Sequence, residues 1–182
     1  MLKKLPRAFF TLFIILLILI VALIICRGLF PIRHYSVIEE YCEEYGVEKS
    51  LVLALIKAES NFNEDAVSHA DAKGLMQLTD STFDYCMTSL EAPGDIFSTE
   101  DNIRAGVWYL SHLIEKYDGN TENAIAAYNA GSSNVDKWLS NSLYSSDGKE
   151  LDIIPFGETS RHVGKIRRYN NIYKLLYPKT RG

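Results

Sequence analysis

Residues 54–77 read ALIKAESNFNEDAVSHADAKGLMQ, from Ala54 to Gln77. Just upstream, Leu51, Val52, Leu55 and Ile56 recur at helical spacing and make a broad apolar face, with Ser50 as the cap. Glu59 follows Leu55 by four positions and so falls on the buried side of that helix. A carboxylate there is disfavoured unless paired or protonated, because desolvation penalises its charged form. One alternative turns Glu59 outward to water or pairs it with Lys57 or a distant Arg. The other keeps it as an acid: Ser60, Asn61, Asn63 and Ser68 supply compact hydrogen-bonding groups, and no cation is placed to neutralise it. That equipment suits a ligand of hydroxyls and amides, and carbohydrate cleavage needs an acid to protonate the leaving oxygen.

Outward from this stretch the chain reads as helices. Val37, Ile38, Tyr41 and Tyr45 have helical spacing and Gly46 closes the segment. Residues 61–73 lose all periodicity and read as an irregular loop. Thr79, Asp80 or Ser81 caps a short helix containing Phe83, Tyr85 and Met87. Ser98 or Thr99 caps a long one with Ile103, Val107, Leu110 and Ile114, which Gly119-Asn120 ends. A further helix runs from about Thr121 to Tyr128, breaks at Asn129-Ala-Gly131, and is followed by a short turn of helix around Val135 and Trp138. Residues 140–150 read as a mobile surface excursion, and a final helix carries Val163, Ile166, Tyr169, Ile172, Tyr173 and Leu176. No strand pattern is convincing, so the predicted class is mainly α.

The 182 residues leave room for one domain beyond the N-terminal segment. Residues 8–26, AFFTLFIILLILIVALIIC, carry no charge; as a helix they span about 28 Å, the hydrocarbon thickness of a bilayer. This length, with no small-residue cleavage site, predicts a retained transmembrane anchor rather than a signal peptide, and bulky Ile25 argues against lipoprotein processing at Cys26. The expected organisation is a cytoplasmic N-terminus over 1–7, the anchor over 8–26, a linker over 27–35 and a catalytic domain over 36–182. Lys3, Lys4 and Arg7 before the span exceed Arg27 and Arg33 after it, which favours a cytoplasmic N-terminus and an extracytoplasmic domain.

Residues 36–182 carry 14 basic side chains against 23 acidic, a net of −9. That balance speaks against nucleic acid as partner and means an anionic polymer must be held by local contacts. Cys26, Cys42 and Cys86 form no Cys-x-x-Cys motif, and no His-x-x-x-His spacing is present, so neither metal nor cofactor is expected. Cys42 and Cys86 are expected as buried free thiols, with pairing the alternative. His69 and His162 read as ordinary polar positions.

Four ordered blocks together resemble the lytic transglycosylases of the soluble-lytic-transglycosylase family: residues 54–77, Asn102–Leu110 (NIRAGVWYL), Ala126–Gly131 (AYNAG with its preceding Ala) and Ile154–Thr159 (IPFGET) followed by Val163 and Tyr169. The resemblance covers about residues 36–177. It implies a lysozyme-like fold that acts on peptidoglycan glycan strands, cleaving between N-acetylmuramic acid and N-acetylglucosamine and leaving a 1,6-anhydro end. By the same resemblance Glu59 is the catalytic acid/base, Ser68 helps orient the sugar, Met76 and Gln77 form the groove wall, Tyr128 and Asn129 lie beside the carboxylate, and Glu158 is a second acid in the cleft, with Ser60 completing the Glu-Ser motif.

The residues allow matching physical roles. Gly74 admits a ligand close to the backbone, Met76 offers a flexible apolar surface, Gln77 can pair with an acetamido group, and Tyr128 can bond the Glu59 carboxyl and fix its rotamer. Glu158 has the alternative of a first-turn carboxylate favoured by the helix dipole. Asp71 replaces a usual glycine, Glu64 and Asp80 replace usual prolines, and Ser160 and His162 stand where Arg and Tyr are common. The competing expectations are a hydrolytic muramidase with Glu158 or Asp71 as second carboxylate, and a tethered wall-binding scaffold within cell-wall or secretion machinery.

Overall fold

The computed structural model describes residues 7–180, and the side chains of residues 9–180. Lys3 and Lys4, which enter the orientation argument, lie outside the described residues. Helix α1 spans Arg7–Leu29. Its segment Phe9–Leu29 has a mean hydropathy of 3.5 and is long and apolar enough to cross a membrane. It is apolar on every face, and the side chains from Phe9 to Leu29 are exposed all round. Such a helix has no stripe reserved for protein packing and suits a lipid surround. It continues three residues past Cys26 before the chain turns.

Residues 33–182 form a separate compact unit. Helices α2 (Tyr35–Tyr45), α3 (Lys49–Glu59), α4 (Asp80–Ser89), α5 (Thr99–Lys116), α6 (Thr121–Ala130), α7 (Ser132–Leu139) and α8 (Gly157–Leu176) build it, and a 3-10 turn at Pro178–Thr180 follows. Among the described residues there is no strand, only isolated antiparallel bridges from Val67 to Lys73 and from Lys73 to Leu78. The mainly α reading therefore holds.

The centre is α3. All residues from Ser50 to Ile56 are buried, so the helix is covered on every side rather than along one face. It packs on α8 and α2; α5 packs on α2, α4 and α6, while α6 also meets α7 and α8. Each fully buried Leu or Ile in this layer contributes about 1.5–3 kcal/mol of transfer free energy. Burial also explains a correction at the helix start. Ser50 does not cap α3; Glu48 stands at that position without a side-chain bond, and the Ser50 hydroxyl donates to Oδ1 of Asn170 on α8 at 2.6 Å.

The starts of α4 and α5 follow the sequence. Thr79 accepts the Thr82 N–H and Ser98 the Asp101 N–H, both at 3.3 Å, while Asn120 accepts from Asn123 at 3.0 Å. Gly46 closes α2 at φ 68 with its N–H on the Cys42 carbonyl. Cys42 and Cys86 are buried free thiols.

A buried α5 side chain braces the irregular stretch between α3 and α4. Asn102, 1% exposed, accepts the Met76 N–H at 2.8 Å and donates to the carbonyls of Lys73 at 3.1 Å and Ile96 at 2.8 Å. The 140–150 excursion lies on the surface but is pinned too. Buried Asn123 donates to the Lys149 carbonyl at 2.7 Å and accepts the Leu151 N–H at 3.3 Å. These bonds supply the anchorage that its polar composition conceals.

Candidate functional site

Glu59 is the last residue of α3, where the buried helix reaches the edge of a cavity of about 440 Å³. Its lining includes Ser68 and His69 from the loop, Gln77 and Thr82 around the start of α4, Tyr109 of α5, Tyr128 and Asn129 of α6, and Glu158 of α8. The sequence-predicted residues Glu59, Ser68, Gln77, Tyr128, Asn129 and Glu158 are thus brought together from five parts of the chain. Ser60 and Met76 are not in the lining.

Met76 is a core residue with 0% exposure. Its sulfur fills the hollow left by Gly106 on α5, where an added Cβ would stand 2.4 Å away. The expected sugar-facing surface at Met76 is therefore replaced by a packing role. Ser60 follows the end of α3 and returns its hydroxyl to the Ile56 carbonyl at 3.2 Å, a local bond that competes with any ligand.

Gly74 likewise serves the fold. Its backbone lies at φ +75, and a Cβ there would meet Asn102 Nδ2 at 2.3 Å; the close approach is to Asn102 rather than to a ligand. Asp71, which stands where glycine is usual, has φ 58, so the position demands the left-handed region that glycine adopts freely and aspartate tolerates. Asp71 is exposed, sits outside the cavity lining, and pairs with Lys73 at 3.4 Å.

Gln77 also adopts a positive φ of 51. Its amide donates to the carbonyls of Ala66 at 3.0 Å and Gly74 at 2.9 Å, so both donors lock the loop and the carbonyl oxygen is the group left to a ligand. Ser68 accepts the N–H groups of Ala70 at 3.3 Å and Ala72 at 3.0 Å. This turn presents Ser68 and His69, both exposed, at the cavity.

Tyr128 does not bond Glu59. Its hydroxyl donates to the Met76 carbonyl at 2.8 Å, and its ring tilts on that of Tyr109 with centroids 5.4 Å apart. Burial, then the nearby Glu59 charge, pushes the phenol well above its ordinary range. It is a fixed neutral wall beside the carboxyl. Asn129 is oriented by buried Thr159, whose hydroxyl donates to Asn129 Oδ1 at 2.7 Å. Glu158 is exposed in the first turn of α8, a placement compatible with both of its expected roles.

The close partner of Glu59 is a residue read from sequence as an ordinary polar one. His162 Nε2 stands 3.1 Å from Glu59 Oε1, with side-chain exposures of 12% and 15%. The contact lacks hydrogen-bond alignment, and Nε2 is buried with no other partner. No lysine or arginine comes within ion-pair distance of Glu59 among the described residues. The available signal was position: His162 follows Glu158 by four residues, so both share one face of α8. Among the described residues no group of three His, Cys, Asp or Glu side chains could hold a metal ion.

The family described as "Transglycosylase SLT domain" matches residues 36–150. The chain is 30% identical over 151 residues to the soluble lytic murein transglycosylase of Salmonella typhimurium, covering 80% of this chain and 23% of that protein. It is 30% identical over 172 residues to membrane-bound lytic murein transglycosylase C of Yersinia enterocolitica, covering 78% and 47%. Among solved structures it is similar to an inactive glutamate-to-glutamine mutant of lytic transglycosylase Slt from Pseudomonas aeruginosa. That match has a TM-score of 0.71 and 30% identity, covering 80% of this chain and 24% of the other. The 70 kDa soluble lytic transglycosylase of Escherichia coli matches with a TM-score of 0.74 and 25% identity, covering 86% and 27%. The chain thus spans about a quarter to a half of the length of these relatives.

Proposed function

The chain belongs to the SLT transglycosylase domain family, and from that premise we propose that it is a membrane-anchored lytic transglycosylase acting on peptidoglycan. The observation that carries this reading is the placement of Glu59: a mostly buried carboxyl at the end of a core helix, open to a 440 Å³ cavity and free of lysine or arginine pairing. The relative described as inactive differs by loss of one glutamate's charge, which supports a single essential carboxylate.

In this mechanism neutral Glu59 protonates the glycosidic oxygen between N-acetylmuramic acid and N-acetylglucosamine. The substrate's N-acetyl group stabilises the charge developing at C1. Ionised Glu59 then removes the C6 hydroxyl proton while that oxygen attacks C1, closing the 1,6-anhydro ring. One carboxyl serves twice and ends in its starting state. Ser68, Asn129 and the carbonyl of Gln77 offer polar contacts to the sugar, and Tyr128 and Tyr109 supply apolar walls. Because the domain is acidic, these local contacts rather than long-range attraction hold the strand.

A muramidase reading is favoured by one feature, the presence of Glu158 in the same cavity; Asp71, outside it and paired with Lys73, is a poor second carboxylate. Digestion of purified sacculi by the full chain in detergent separates the readings. Muropeptides with anhydro ends are expected, and reducing ends would overturn the proposal in favour of water as nucleophile. Glu59→Gln should abolish release without abolishing binding; full turnover by that folded variant would remove Glu59 from the chemistry, and binding without turnover by the unaltered chain would mark a scaffold.

The anchor proposal rests on α1 and on the membrane-bound relative. Residues 1–7 would face the cytoplasm, residues 8–26 cross, and residues 36–182 work outside, reached through the 27–35 linker. Protease added to intact spheroplasts should digest the domain, and its protection would reverse the topology.

A further inference from the structure

The approach of His162 Nε2 to Glu59 Oε1 at 3.1 Å joins two side chains that are only 12% and 15% exposed. Nε2 is buried and makes no hydrogen bond. Tyr128, the alternative holder of the carboxyl, gives its hydroxyl proton to the Met76 carbonyl. Lys165, one turn further along α8, spends its ammonium on the Ala58 carbonyl at 2.8 Å. These two candidates are therefore engaged elsewhere, and the imidazole stands against the carboxyl.

We infer that His162 is the positioning residue of Glu59, holding Oε1 so that the second carboxyl oxygen faces the substrate. This rests on the transglycosylase reading above. With its proton on Nε2, neutral His162 can donate to Oε1, which leaves the acidic proton of Glu59 on the second oxygen, in place for the leaving oxygen, and steadies the carboxylate that then takes the C6 proton. Over the cycle the proton given to the glycosidic oxygen is replaced by the C6 hydroxyl proton, so His162 gains and loses none.

The titratable groups around the pair come from every neighbouring element. Glu158 on α8, His69 on the loop, Tyr109 on α5 and Tyr128 on α6 share the cavity. Lys165 on α8 and Lys57 on α3 are the flanking cations, and Lys57 is lowered by its own burial first and by Lys165 and Arg33 next. Glu158 is the other acid in the lining and is exposed to water, which screens it.

The test compares turnover of purified sacculi by the full chain in detergent with that of His162→Gln, which keeps a donor, and His162→Ala, which keeps none. His162→Ala is expected to lower kcat about tenfold or more with KM nearly unchanged, and His162→Gln to recover most of that loss; an unchanged kcat, a loss carried by KM alone, or no recovery by Gln overturns the inference. If the variants fail to fold, the His162 ring resonances of the chain with and without Glu59→Gln decide: a displaced ring resonance is expected, and an unmoved one overturns the inference. That readout needs no turnover, so absent anhydro products with the resonance displaced defeat the transglycosylase reading, and intact products with it unmoved defeat this one.

Discussion

A Cβ placed on Gly74 would stand 2.3 Å from Nδ2 of Asn102. The loop that carries Gln77 and the cavity-facing Ser68 is therefore clamped to α5 through a glycine that has no spare room. Its φ of +75 adds a second reason for glycine. Gly74→Ala combines left-handed strain with displacement of a buried amide that makes three hydrogen bonds, and should cost about 2–4 kcal/mol. The melting temperature of the detergent-solubilised chain should fall by about 5–10 °C. An unchanged melting temperature would mean that the clamp does not stabilise the loop.

Tyr128→Phe tests which side chain holds the Glu59 carboxyl. The substitution removes the 2.8 Å bond to the Met76 carbonyl and leaves that buried acceptor without its donor, a cost of about 1–3 kcal/mol. Because the hydroxyl does not contact Glu59, kcat of the folded variant should stay within about threefold of the unaltered chain. A loss of tenfold or more in a variant that still folds would show that Tyr128 holds the Glu59 carboxyl.

The helices were legible because their periodicity and caps are local: Thr79, Ser98 and Gly46 act within four residues of themselves. The cavity was legible in outline because Glu59 breaks an apolar pattern and the remaining blocks follow in a fixed order. What escaped depends on distance. Ser50 reads as a cap until Asn170, 120 positions away, claims its hydroxyl. Met76 reads as a groove surface until Gly106 is seen to provide its pocket. His162 is an unremarkable polar residue in a helix until the packing of α8 on α3 brings it to Glu59. Composition carries no trace of these pairings, since each partner alone satisfies its local rules.

The buried thiols give a prediction with a definite pH sign. Cys42 is 2% exposed and Cys86 0%, and burial pushes each from an ordinary 9.0 up to about 12, partly offset by Lys49 at Cys42 and by a backbone hydrogen bond at Cys86. The thiolate is the reactive form, so iodoacetamide at pH 8 should leave both unmodified in the folded chain and label both after denaturation, as read by peptide mass mapping. Because folding raises these values, the folded state retains protons that the unfolded chain releases. The thiol contribution to stability is thus fully present below pH 9.0 and is lost as pH climbs toward about 12. Rapid labelling of Cys86 in the folded chain would show that α4 opens away from α5, exposing the sulfur that the packed helices cover.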